Sequence, residues 1–384
     1  MGSLRFILAM SVVYGHAGDF LGFPFIPGDT AVQVFYAVSG FYMALVLNEK
    51  YRPPSSSYRL FISNRFLRLF PVYAAVLCLT LLLAVAVAHF SSDQLAFVKE
   101  WRLIAPLDWW SAAFLVGTQI VMWGQDLYLF LTIKDGALAF LPNFTTDPQP
   151  LFRLLVIPQG WTLGLEFSFY LLAPFIVRRS LRVIALILAA SLLLRLCLQF
   201  WFGYSGDPWS YRFFPSELAV FLLGALGYRI YRTPCVPDRS ALPLFLLAVA
   251  AVGAALLINR WHGIGRIASV SFLMLACAAI PFLFRISKDN LLDRHLGELS
   301  YPIYICHVLV IWFLDFVFSP GSMTVRGMCI IAATLVASSA LYLWIDRPVD
   351  RWRQRRFEGR RGHRPAPRLP EQPALAAVPK ALAD

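Results

Sequence analysis

The chain has 384 residues, 59% of them hydrophobic and 15% charged, with a formal net charge of +12. So apolar and sparsely charged a composition excludes an ordinary soluble domain and is that of an integral membrane protein. The positive charge does not point to nucleic acid, because Arg and Lys gather in short loops between apolar runs, as positive-inside topology requires.

The first run, Leu4 to Leu21, begins with Arg5 and carries His16 near its far end. Both residues interrupt what would otherwise resemble a signal peptide, and the cleavage pattern is weak, so the run reads as a retained span. An ionisable side chain within a spanning helix is costly and turns to a polar cavity or a partner rather than to lipid. At 1.5 Å per residue the step from Arg5 to His16 is roughly 16 Å, about half the hydrocarbon thickness. Arg5 therefore belongs at one membrane surface and His16 well inside.

The next runs are Ala31 to Leu47 and Phe66 to His89, joined by a basic loop with Lys50, Arg52, Arg59, Arg65 and Arg68 that positive-inside topology places in the cytosol. From Trp101 to Phe144 the pattern is broken by Trp109, Trp110, Trp123, Asp126, Lys134 and Asp135. The following helix, Pro158 to Val177, ends in Arg178, Arg179 and Arg182, so it runs from outside to inside. The irregular region must then cross zero times or twice, and its Trp content favours an interfacial or re-entrant segment. The remaining spans are Leu181 to Phe202, Pro215 to Tyr231, Leu242 to Ile258, Ile267 to Phe284, Leu299 to Phe318 and Val325 to Ile345.

The expected fold is thus an all-α membrane protein of about ten helices with both termini cytosolic. Residues 1–348 form the transmembrane domain, and 349–384 form a basic, then proline-rich tail whose first part lies on the anionic inner leaflet and whose remainder lacks the apolar content to fold. The six cysteines fall in spans or, for Cys235, in a basic cytosolic loop, so no disulfide framework is indicated.

Counted from the ends of their predicted spans, His16 and Glu166 lie at comparable depth from the outer surface. An imidazole beside a carboxylate is a recurring general-base arrangement, since the carboxylate fixes the tautomer and stabilises the charged form. The alternative is that each makes a separate interhelical hydrogen bond. His307, in YPIYICH, counts as nearer mid-membrane, with Tyr304 one turn behind it, and reads as structural. Asp19 reads as an interfacial cap, and snorkelling explains Arg195, which shares a turn with Gln199. Arg65 and Arg68 share a helix face and suit a phosphate-bearing ligand, although charge alone equally fits a positive-inside anchor. There is no glycine-rich phosphate loop, no HExxH and no Cys-x-x-Cys, so nucleotide hydrolysis and zinc chemistry are unsupported and no metal ligands are expected.

Taken together, these stretches resemble the acyltransferase-3 family of membrane-bound acyltransferases. Arg5, ten residues and His16 match its first-helix motif; AVQVFYAVSGFYMALVL, with Ser39 and Gly40, resembles its second helix; and Arg65-x-x-Arg68 matches its arginine pair. WTLGLEFSFYLLAP, with Trp161 and Glu166, resembles the aromatic and acidic segment, and LGELSYPIYICH and IDRP resemble the closing helices. The resemblance extends to about Pro348. It departs at Phe6, where relatives commonly have glycine, in the short lead before Arg5, and in the lack of an SGNH-type domain after the last span.

What the resemblance implies is transfer of an acyl group, usually acetyl, from cytosolic acyl-CoA to a hydroxyl of a glycan or glycolipid at the outer face of a bacterial cytoplasmic membrane. His16 would be the catalytic histidine, with Glu166 orienting the imidazole or the sugar. Arg5, Arg65 and Arg68 would hold the donor, and Ser39, Trp161, Tyr304 and His307 would line the site. Acyl-CoA is a co-substrate, and no permanently bound cofactor is implied. The outer loops supply Trp201, Trp209, Tyr211, Arg212 and Trp261, which would stack on sugars or form the ordinary interfacial belt. A reading of a different class is a transporter with His16, Glu166 and His307 as a proton relay; the internal repeats common in such proteins are not evident.

Overall fold

The computed structural model describes residues 1–18, 20–22, 25–51, 57–91, 95–204, 206–233, 265–318 and 321–361. Asp19, Cys235, Trp261 and the expected span Leu242 to Ile258 lie outside the described residues. Helices α1 (Gly2–Ala17), α2 (Gly28–Glu49) and α3 (Tyr58–Phe90) open the fold. Gly18, at φ 97°, ends α1 in the left-handed conformation, and its N–H reaches the carbonyls of Gly15 and Tyr14. Ser57 caps α3 by accepting from Leu60 N–H at 3.2 Å.

The irregular region folds back on itself. After α4 (Ala96–Glu100), Asp108 caps α5 (Trp109–Val121), and the Ser111 hydroxyl and the N–H groups of Ser111 and Trp110 hold its carboxylate below the usual range. The chain turns at Met122 and Gly124, both at positive φ, and returns to a hairpin of β1 (Leu131–Lys134) and β2 (Ala137–Phe140). Asp135 and Gly136, at φ 51° and 78°, make its two-residue turn. Asp108 N–H bonds Gly136 O at 2.8 Å, so the segment begins and ends on the same side of the bundle. The tip docks on the bundle, with Trp123 Nε1–H donating to Ser168 Oγ at 3.0 Å at the surface and Gln125 Nε2–H to Tyr73 OH at 2.6 Å in the interior. This hairpin qualifies the all-α expectation.

Helices α6 (Trp161–Ile176), α7 (Leu181–Phe200), α8 (Phe214–Arg232), α9 (Gly265–Ser287), α10 (Leu291–Val317) and α11 (Met323–Leu341) complete the bundle. Six helices among the described residues are long and apolar enough to cross a membrane. The result is a helical multi-pass membrane protein. A π-turn, Tyr342–Asp346, leads into α12 (Arg347–Arg361). The first part of the expected tail is thus helical, and it packs back on the bundle. Arg353 Nη1–H donates to Asn64 O at 2.9 Å, and the Phe357 and Tyr51 rings meet at 5.0 Å.

The bundle is drawn together where glycines let helices touch. A Cβ on Gly40 of α2 would lie 1.8 Å from Phe221 O of α8, and one on Gly224 of α8 would lie 1.7 Å from Ala37 O of α2. Small residues at such crossings allow the close backbone approach that drives helix association in lipid. Around this contact Phe221 stacks on Tyr36 at 4.6 Å and on Phe169 at 4.4 Å. Gly40→Ala must push α2 from α8, an overpacking cost of about 2 kcal/mol, and should lower the melting temperature of the purified protein. An unchanged melting temperature would show that the crossing tolerates the methyl group.

Candidate functional site

α1 packs along α10, and this brings two histidines together. His16 Nδ1 lies 2.8 Å from His307 Nε2, and the rings stack at 4.9 Å with 17° between their planes. His307 is fully buried, and its Nδ1 lies 2.7 Å from Tyr304 O. A carbonyl only accepts, so His307 Nδ1 carries a proton, and in a neutral pair its Nε2 accepts from His16 Nδ1–H. The Tyr304 carbonyl thereby fixes both tautomers and leaves the unprotonated, basic nitrogen of His16 at Nε2.

His16 opens onto a cavity of 790 Å³. Gln159, Trp161, Arg195, Tyr211 and Arg212 also line it. Arg212 Nε–H is held between the Asp207 oxygens at 2.8 and 3.0 Å, while its guanidinium lies 4.4 Å from the Trp161 ring centre and 5.1 Å from that of Tyr211. Burial raises the Asp207 carboxyl from its ordinary value, and Arg212 opposes that shift. Trp209 Nε1–H pins this loop to Pro142 O at 2.6 Å. Of the aromatic and basic residues expected outside, Tyr211 and Arg212 reach the cavity, Trp209 supports them, and Trp201 is 84% exposed.

A second cavity, of 230 Å³, lies toward Arg5 and is lined by Arg5, Ser39, Arg65, Arg68, Glu166 and Tyr304 among others. Val32 and Tyr304 line both cavities, which therefore meet end to end. The expected pairing of Glu166 with His16 is not formed. Glu166 Oε1 instead accepts from Ser39 Oγ–H at 3.0 Å and from the Tyr170 hydroxyl one turn along α6. The two arginines also differ. Arg68 Nη1–H reaches both oxygens of Asp346 at 2.8 Å, whereas Arg65 Nε is buried without a hydrogen-bond partner. Arg68→Ala would strand the nearly buried Asp346 carboxylate, costing about 2 kcal/mol after allowance for partial exposure. A melting temperature restored by adding Asp346→Asn would verify that origin; no restoration would refute it.

A family model described as an acyltransferase domain, that of acyltransferase family 3, matches residues 2–343. The chain belongs to the acyltransferase-3 family. The match takes in both cavities and every helix that lines them, and the protein is a multi-pass membrane acyltransferase. Among curated relatives, an uncharacterised protein of Aquifex aeolicus (strain VF5) is 22% identical over 198 residues, 48% of this acyltransferase and 82% of its own length. Protein 2 in picA locus of Rhizobium radiobacter is 33% identical over 79 residues, 21% of the acyltransferase and 41% of its own length. No solved structure gives a significant match.

Two residues that build the wall of the larger cavity escape a reading of the sequence. Glu217, fully buried near the start of α8, accepts from Arg195 Nη2–H at 2.5 Å and from Gln33 Nε2–H at 3.0 Å. Arg195 therefore does not snorkel; it is held at the cavity wall by a buried carboxylate, and its presence on the preceding span was the available signal. Gln159 donates from Nε2 to Ile305 O at 2.7 Å, and its Oε1 is buried without a partner. A glutamine at the second position of a predicted span carries no such signal.

Proposed function

We propose that this acyltransferase moves an acetyl group from cytosolic acetyl-CoA to a hydroxyl of a glycan at the outer face of a bacterial cytoplasmic membrane. The observation that carries the reading is the chain from Tyr304 O through His307 to His16, which leaves a basic nitrogen on a large cavity that shares Val32 and Tyr304 with the cationic one. The cationic cavity suits the phosphates of the donor, and the pantetheine arm bridges the roughly 16 Å from Arg5 to His16. The larger cavity, with Trp161, Tyr211 and neutral amides, suits a sugar that stacks and hydrogen-bonds.

His16 Nε2 takes the proton of the acceptor hydroxyl as its oxygen attacks the thioester carbonyl carbon. The tetrahedral intermediate collapses with cleavage of the C–S bond, and the imidazolium returns the proton to the departing thiolate. The products are the ester and free coenzyme A. His307 acts as a positioning residue: it holds the Nδ1 side of His16 and keeps Nε2 free. Glu166, through Ser39 and Tyr170, shapes the donor cavity rather than the base.

Arg65→Ala should raise KM for acetyl-CoA about tenfold, the loss of one charge-assisted contact, with a smaller change in kcat. Steady-state rates over a range of acetyl-CoA concentrations measure this, and a larger effect on the acceptor would remove Arg65 from the donor site.

A further inference from the structure

Beyond the cationic cavity, away from His16, lies a third, of 300 Å³. Arg5 and Tyr42 line both, so the three cavities form one series from the α9–α10 junction to His16. Its far wall carries Lys288 and Arg294, with Asp293 and Glu298 beside them. Both carboxylates are already engaged. Asp293 caps α1, accepting from Gly2 N–H, Ser3 N–H and Ser3 Oγ–H, each at 2.8 Å. Glu298 accepts from the Tyr342 hydroxyl. Among the described residues, Arg5, Lys288 and Arg294 have no ion-pair partner. Three cations without carboxylate partners around one small cavity constitute an anion site, and the geometry suits a compact dianion with several acceptor oxygens.

We propose that this cavity binds a phosphomonoester, the 3′-phosphate of the coenzyme A donor, and that it makes the enzyme select coenzyme A thioesters over acyl groups carried on a protein-bound phosphopantetheine arm. The proposal rests on the acyl-CoA reading above. With the thioester at His16, the pantetheine arm extends to the level of Arg5, where Arg5 and Arg65 meet the pyrophosphate. The nucleotide end then lies beyond Arg5, in the third cavity. A carrier-protein arm has the phosphopantetheine but no 3′-phosphate, so it leaves Lys288 and Arg294 without a ligand. The phosphomonoester headgroup of phosphatidic acid offers the same phosphate chemistry from the membrane, and the test separates the two sources.

Isothermal titration of the purified, delipidated protein with coenzyme A and with 3′-dephospho-coenzyme A tests the assignment. Lys288→Ala with Arg294→Ala should weaken coenzyme A binding about tenfold, within the range of one charge-assisted phosphate contact, and leave the dephospho form unchanged. Lys288→Arg with Arg294→Lys should retain both affinities. Both side chains are exposed, so the variants should fold. Unchanged coenzyme A binding overturns the site, as does an equal loss for both nucleotides. Native mass spectrometry with phosphatidic acid supplies the other arm: lipid retention lost in the alanine variant while coenzyme A binding stays intact assigns the phosphate to a lipid and overturns the proposal. A wild-type protein that binds neither nucleotide removes the donor reading itself, and this site with it.

Discussion

Replacing His16 with alanine should reduce acyl transfer about a thousandfold or more, within the range that a positioned general base contributes. On the proposed mechanism the loss should fall on kcat, because there the imidazole acts on the proton in flight and not on the resting substrates. Membrane insertion should be normal, since His16 is exposed to the cavity at the last turn of α1 and no packing depends on its ring beyond the contact with His307. Mass spectrometry of surface glycan from cells producing either form reads the result. Acylation retained at the wild-type level in His16→Ala would remove the base.

His307 gives the second large effect, and it separates positioning from mere structure. His307→Phe keeps the ring volume but removes the acceptor for His16 Nδ1–H, so the imidazole is free to adopt the tautomer whose Nε2 is already protonated. A comparable loss of tautomer control costs a serine protease about 10⁴ in kcat; here about a thousandfold is expected. His307→Gln offers an amide oxygen that can accept the same hydrogen bond, and should recover at least a tenfold part of the rate. The acid limb of the pH–rate profile should move in the Phe variant and return toward the wild type in the Gln variant. Equal rates and profiles in the two variants would mean that His307 only fills space.

The bundle was largely legible in the sequence, because hydropathy and basic loops mark spans directly, and the Arg5–His16 and Arg65–Arg68 spacings identified the residues of both cavities. The partners were not legible, for reasons of geometry. His307 was counted from a span beginning at Leu299, but α10 starts two turns earlier at Leu291, so His307 lies about 24 Å along its helix and level with His16. Glu166 was matched to His16 by depth alone, and depth says nothing of azimuth: its carboxylate faces Ser39 and Tyr170, on the other side of Tyr304. The Arg68–Asp346 pair joins residues 278 positions apart through a π-turn that has no sequence signature here. The hairpin lay within a stretch whose Asp135–Gly136 turn read as an interruption of apolar runs. The glycine crossing of α2 and α8 supplies the physical reason for Gly40 in the second-helix motif.

On the proposed function, donor and acceptor approach His16 from opposite membrane faces, one through each cavity. Sealed inside-out vesicles from producing cells, supplied externally with acetyl-CoA labelled in the acetyl group, test this directly. The label should become fixed to lumenal glycan, protected from added glycosidases until detergent is present, and His16→Ala vesicles should fix none. Label fixed equally by the His16→Ala vesicles, or fixed only when acetyl-CoA is supplied to the lumenal face, would contradict the account.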